Sequence, residues 1–151
     1  MIKIFTDGSC SNNGFDNSYG AYAVIVYDGD NLIETYAKSE KNTTNNICEM
    51  KGILYAIIKY GKFNPVIYSD SAYAINSFTV WRHSWKANGW QKADGSEVKN
   101  LELIQAYDEL ENKYHFTLEK VKGHKDCEGN ILADKLAVAE TKRFFESLGK
   151  D

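Results

Sequence analysis

The chain has 151 residues, with 18 Lys and Arg against 21 Asp and Glu, for a formal net charge of −3. This length suits one domain with a sizeable core, and 43% hydrophobic with 26% charged residues is ordinary globular composition, which excludes a disordered chain. No apolar run reaches bilayer length, and the negative balance argues against non-specific coating of nucleic acid while leaving room for a local basic strip.

Cys10, Cys48 and Cys127 are odd in number, widely separated and in no metal-ligand spacing. They read as free thiols in a reducing, cytoplasmic setting. Residues 1–5 are too short an apolar stretch for a signal peptide and read as a strand. Ile2, Ile4 and Thr6 alternate with Lys3, Phe5 and Asp7, which predicts a strand ending on Asp7 and a turn-rich loop over 7–14. A second strand is expected over 19–27, a hairpin turn at 28–31, and a third strand from Leu32 towards Lys38.

Helical period follows. Ile47, Met50, Ile53, Leu54, Ile57 and Ile58 form an apolar stripe, with N-cap candidates in Thr43-Thr44-Asn45-Asn46. Val66-Ile67-Tyr68 reads as a short buried strand closing on Ser69-Asp70-Ser71, and a helix runs from Ala72 to about Phe78. Residues 81–99 are irregular and rich in Trp and Lys. A helix is expected over 101–110, a strand over 116–121, a loop over 123–129 and a last helix over about 130–148. The order βββαβαβα, with an extra helix near the Trp-rich segment, predicts an α/β fold. Three antiparallel strands plus two parallel ones would make one five-stranded mixed sheet with helices on both faces. Right-handed crossovers put the strand before Asp70 parallel to, and beside, the first. Residues 1–151 read as a single domain with a protrusion at about 81–99.

Asp7 and Asp70 each end an apolar strand, so both carboxylates would emerge at one carboxyl edge, where open α/β sheets bind ligands. Glu49 lies at the edge of the helical stripe, and Asp134 in the first turn of the last helix beside Ala133, Leu136 and Ala137. Each acid alone has an ordinary explanation: turn former, helix cap or partner of the macrodipole. Together they would repel one another unless cations intervened. A hard divalent ion with oxygen ligands, Mg²⁺, meets that need, and no Cys/His cluster competes for zinc.

Five segments then resemble the type 1 ribonuclease H family in order and spacing: Phe5-Thr6-Asp7-Gly8-Ser9, Thr43-Thr44-Asn45-Asn46 with Glu49, Tyr68-Ser69-Asp70-Ser71, Val121-Lys122-Gly123-His124, and Asn130 with Ala133-Asp134. The resemblance spans nearly the whole chain. It implies a ribonuclease H-like fold and cleavage of the RNA strand of an RNA–DNA hybrid. The chemistry implied is two-metal hydrolysis leaving 5′-phosphate and 3′-hydroxyl ends. It assigns Asp7 to both Mg²⁺ ions (Mn²⁺ being an alternative), Asp134 to the water-activating one, and Glu49 and Asp70 to the other. His124 would assist as a mobile acid–base group. Asn130 would sit near the scissile phosphate, with N-cap of the last helix an equally good reading.

The same resemblance gives Cys10, Asn13, Asn45 and Asn46 contacts in the hybrid's minor groove, where 2′-hydroxyls mark the RNA strand. Turn and cap chemistry explains the asparagines equally well. Thr44 and Asn100 match a phosphate pocket for the DNA strand. Residues 81–92 resemble a basic protrusion gripping that strand, with Trp81 and Lys86 as contacts and Arg82 and Lys92 adding charge. Trp85 reads instead as satellite core. Ala72 and Asn42 depart from the family's usual polar and arginine residues, and Asp94 and Glu97 dilute the protrusion's charge. Intact chemistry with weaker, more salt-sensitive binding is therefore expected, from a monomer without a membrane partner. Because no hybrid-binding domain precedes Met1, processivity is not expected from this chain alone. Two alternatives stand beside this reading: another nuclease on the same fold, such as a junction resolvase, and a catalytically silent binding module.

Overall fold

The computed structural model describes residues 1–121 and 127–148. Strands β1 (Ile2–Ser11), β2 (Tyr19–Asp28) and β3 (Asn31–Lys41) form an antiparallel meander. Helix α1 (Asn45–Tyr60) leads to β4 (Val66–Ser69), which pairs parallel with β1. Then come α2 (Ala72–Asn76), a π turn (Ser77–Trp81), α3 (Arg82–Ala87), α4 (Leu101–Lys113), β5 (Thr117–Lys120) and α5 (Glu128–Leu148). The sheet order is β3-β2-β1-β4-β5, the expected mixed sheet with β1 and β4 adjacent. Among the described residues no helix is long and apolar enough to cross a membrane.

Strand alternation divides the interior. Ile4, Val24, Val26 and Ile67 face α1 and α4, packing with Met50, Ile53, Ile57, Phe78 and Ile104. From the other face of β2, buried Ala21, Ala23 and Ile25 meet α5, whose buried side carries Ala133, Ala137 and Thr141. Small residues on both sides let this helix lie close to the sheet. Gly129 serves the same approach, since a Cβ there would fall 2.2 Å from the Phe5 ring.

Four expectations about local structure are corrected. β1 does not end at Asp7 but continues to Ser11, because Tyr19–Tyr22 of β2 offer paired partners to Gly8–Ser11; tertiary pairing overrides their turn chemistry. Ile58 leaves the predicted stripe and is 63% exposed. Residues 81–99 are not irregular at first: the π turn continues α2 into α3, with the Arg82 N–H bonding Ser77 O. Finally, Arg82 is no surface cation. It is 4% exposed, its Nε donates to Phe78 O at 2.7 Å, and its guanidinium pairs with Asp108 and, at 2.8 Å, with Glu111. Lys86 reaches the same Asp108 at 2.8 Å. Trp85 packs partly buried against the core.

Candidate active site

Phe5 stands opposite Tyr68 in the parallel β1/β4 pair, so Asp7 and Asp70 follow two residues later at one edge. Glu49 comes to the same edge from α1. Ligand atoms of Asp7, Glu49 and Asp70 all lie within 4.8 Å of one another, and Asp7 and Glu49 are each only 5% exposed. Asp134 joins from α5, where its carboxyl faces Asp7. Because α5 begins at Glu128, Asp134 sits in its second turn rather than its first.

Gly8 is what permits this packing. A Cβ on it would fall 2.8 Å from Glu49 N and 2.9 Å from Cys48 Cβ, so α1 rests directly on the strand at a position only glycine fits. Its N–H donates to Asp7 Oδ1 at 2.9 Å and to Glu49 Oε1 at 3.0 Å. Glu49 Oε2 is buried with no hydrogen-bond partner among the described residues.

Electrostatics follow from the crowding. Burial drives the Asp7 carboxyl well above the usual carboxylate range; the hydrogen bond with Glu49 opposes the rise, and the charge of Asp70 adds to it. Burial raises Glu49 further still, reinforced by the charge of Asp7. Without a cation the pair retains protons that ordinary acids would have lost. Three clustered carboxylates, one of them with a buried unpartnered oxygen, are a donor set suited to a hard divalent cation. Asp7, Glu49 and Asp70, with Asp134 alongside, fit that group.

The other predicted residues fall in two places. Around the start of α1, Thr44 is the N-cap, its Oγ1 accepting from Ile47 N at 3.1 Å, while Asn45 and Asn46 are the exposed first residues of the helix. Asn13 Oδ1 accepts from Asn45 N at 2.9 Å, and Cys10 Sγ lies 3.7 Å from Thr43 O. Beyond Asp70, Trp81 is 40% exposed and packs edge-on to Tyr73, 6.1 Å between ring centroids. Asn100, left-handed at φ 59°, donates from Nδ2 to Tyr73 Oη at 3.2 Å. Asn130 is not the N-cap of α5; it lies inside the first turn, buried, with Oδ1 unpartnered among the described residues. His124 lies outside the described residues. Sequence reasoning missed Gly8 as the shared donor, Tyr73 as the brace of Asn100, and Asp108 as the counter-ion of Arg82. Of these, only Gly8 carried a signal, a glycine directly after a site acid.

The RNase H family model matches residues 1–142. The chain belongs to the RNase H family. Its enzyme class is accordingly ribonuclease H, a hydrolase. The chain is 42% identical to a ribonuclease H of Clostridium botulinum over 138 residues, which covers 90% of this chain and 92% of that protein. LC9-RNase H1, a type 1 RNase H with the type 2 active-site motif, superposes with a TM-score of 0.78 at 28% identity, covering 93% of this chain and 72% of that one. The PFV RNase H domain, from prototype foamy virus, shares the fold at a TM-score of 0.80 and 22% identity, covering 93% and 94% of the two chains. The five-stranded mixed sheet described above is the fold that this chain shares with these RNase H structures.

Proposed function

We propose that this chain cleaves the RNA strand of RNA–DNA hybrids by Mg²⁺-dependent hydrolysis, leaving 5′-phosphate and 3′-hydroxyl ends, and acts as a cytoplasmic monomer. The observation that carries the reading is the convergence of Asp7, Glu49 and Asp70 on one sheet edge, with Glu49 Oε2 buried and unpartnered among the described residues. Asp7, Glu49, Asp70 and Asp134 would hold two Mg²⁺ ions, with Mn²⁺ as the alternative. Bound there, the pair would supply an activated water and neutralise charge on the phosphate under attack.

The chain's own residues prepare that site. Gly8 fixes one oxygen each of Asp7 and Glu49, so both carboxylates are oriented before any ion arrives. Asn45, Asn46, Asn13 and Cys10 present short polar groups and backbone suited to a shallow groove bearing 2′-hydroxyls, while Thr44 would join Asn100 at a phosphate of the DNA strand. Trp81, Lys86 and Asn100 would meet the DNA strand beyond Asp70, and Asn130 the phosphate near the cut. His124 would take up or deliver a proton during turnover.

A uniformly labelled RNA–DNA hybrid incubated with Mg²⁺ tests the proposal. Cleavage confined to RNA in the hybrid, with RNA–RNA and DNA–DNA duplexes intact and EDTA abolishing the reaction, is expected. Binding without cleavage would instead favour a silent module, and cleavage of branched DNA a resolvase.

A further inference from the structure

Two of the three cysteines meet across the seam between β1 and α1. Cys10 follows Gly8 on the same face of β1, and Cys48 directly precedes Glu49 in α1. Both sulfurs gather at Thr43: Cys48 Sγ lies 3.5 Å from Thr43 Oγ1, and Cys10 Sγ lies 3.7 Å from Thr43 O. Gly20, the partner of Cys10 in β2, keeps the space between the two residues clear. A Cβ there would stand 3.1 Å from Cys10 Cα and also 3.1 Å from Cys48 Sγ. No more than the room of one methyl group therefore separates the pair. That is within reach of a disulfide, whose Cα atoms ordinarily stand about 4.4–6.8 Å apart. Cys127 takes no part, since it lies on the other face of the sheet beside Phe5 and Tyr68.

The two thiols differ in access. Cys48 is fully buried and Cys10 partly exposed, so an oxidant arriving from solvent meets Cys10 first. We propose that Cys10 and Cys48 form a redox pair, which a hydroperoxide converts to a reversible disulfide that displaces Glu49. In the first step the peroxide O–O bond breaks on Cys10 Sγ, leaving a sulfenic acid and releasing water or an alcohol. Cys48 Sγ then attacks that sulfur: the S–S bond forms, the S–O bond breaks, and the Cys48 proton leaves with the hydroxyl as water. One peroxide gains two electrons and the two thiols lose them. A thiol reductant restores both. The new bond draws Cys48 away from Thr43 and along the strand towards Cys10. Because α1 has no slack where Cys48 rests on Gly8, Glu49 is carried off the Gly8 N–H with it. The bridge stands independently of the hybrid-cleavage reading, and its effect on turnover rests on that reading.

Cys127→Ser, which keeps only the pair, provides the test. The protein is treated with hydrogen peroxide, then digested and mapped by mass spectrometry with and without dithiothreitol. A peptide joining Cys10 to Cys48 is expected, lost on reduction and absent when Cys48→Ala is added. Mg²⁺ affinity by calorimetry and hybrid cleavage should both fall by about 10-fold or more on oxidation and return with dithiothreitol. With Cys48→Ala present, peroxide should leave Mg²⁺ affinity unchanged. Cys10 carried on to a sulfinic acid while Cys48 stays a free thiol overturns the proposal. A bridged protein that binds Mg²⁺ as tightly as the reduced one overturns it too. Absence of hybrid cleavage by the reduced protein overturns the hybrid-cleavage reading and leaves the bridge to the peptide map.

Discussion

The carboxylates of Asp7 and Glu49 share one donor, the N–H of Gly8, at 2.9 and 3.0 Å. A single dipole cannot offset two buried charges, so both acids titrate above their ordinary values of 3.8 and 4.5. The folded metal-free chain then binds protons more tightly than the unfolded one. Its contribution to stability is complete below about pH 4 and is lost as pH rises through the raised values. Urea unfolding in EDTA between about pH 4 and pH 9 should show that decline. Mg²⁺ added near neutral pH should expel the protons, read as binding heat that depends on the buffer's ionisation enthalpy.

Asp70→Asn removes one of the three clustered charges while keeping the side chain's shape. Changes that merely surround a metal site cost about 10- to 100-fold, so loss of a direct ligand should lower kcat by more than about 100-fold. The same change relieves repulsion on Asp7 and Glu49, and the metal-free Tm should rise. An inactive variant that melts no higher than wild type would contradict the crowding described here; a fully active one would contradict the site.

Gly8→Ala is a test of packing rather than charge. Its new methyl meets backbone and Cβ atoms of α1 within 3.0 Å, which cannot swing aside. Overpacking of this kind costs about 1–3 kcal/mol, and displacing α1 also moves Glu49 away from Asp7. Reduced urea stability together with weaker Mg²⁺ binding by calorimetry is the expected pairing.

Asp108→Ala strips the buried Arg82 of its main counter-ion, leaving Glu111. Breaking a buried pair from one side costs about 3–5 kcal/mol, and the remaining carboxylate places this case at about 3. Chemical denaturation should reveal it, and Asp108→Ala combined with Arg82→Met should recover much of the loss.

Salt dependence reports how many cations meet phosphate, with a log–log slope near −0.9 for each contact. Arg82 is buried and Lys86 is tied to Asp108, so the protrusion has fewer free charges than its sequence suggests. Hybrid affinity should therefore be modest with a shallow slope, unlike the steeper one expected from the sequence. Lys92→Ala should flatten it by about one contact.

The order of elements and the position of Asp7 and Asp70 are legible in sequence because alternation and short apolar strands are local signals. Glu49 and Asp134 acquire meaning only from Asp7, which lies 42 and 127 residues away from them, and an acid in an early helical turn has several local uses. The true length of β1 is hidden because its second half is stabilised by β2, not by its own residues. Arg82 is misread for a related reason: Asp108 lies 26 residues away, and nothing near Arg82 announces a buried partner. The π turn leaves no compositional trace either, yet it sets which way Arg82 points.

The alanines beneath α5 act as a shim. Ala133 flanks Asp134 directly, and with Ala137 it sets how high the helix rides above Ala21 and Ala23. One added methylene in that layer would raise the helix and carry Asp134 away from Asp7 without altering any acid. Since a ligand constellation tolerates only about 0.5 Å of displacement, the tolerances of the proposed metal site are machined into the opposite face of the sheet.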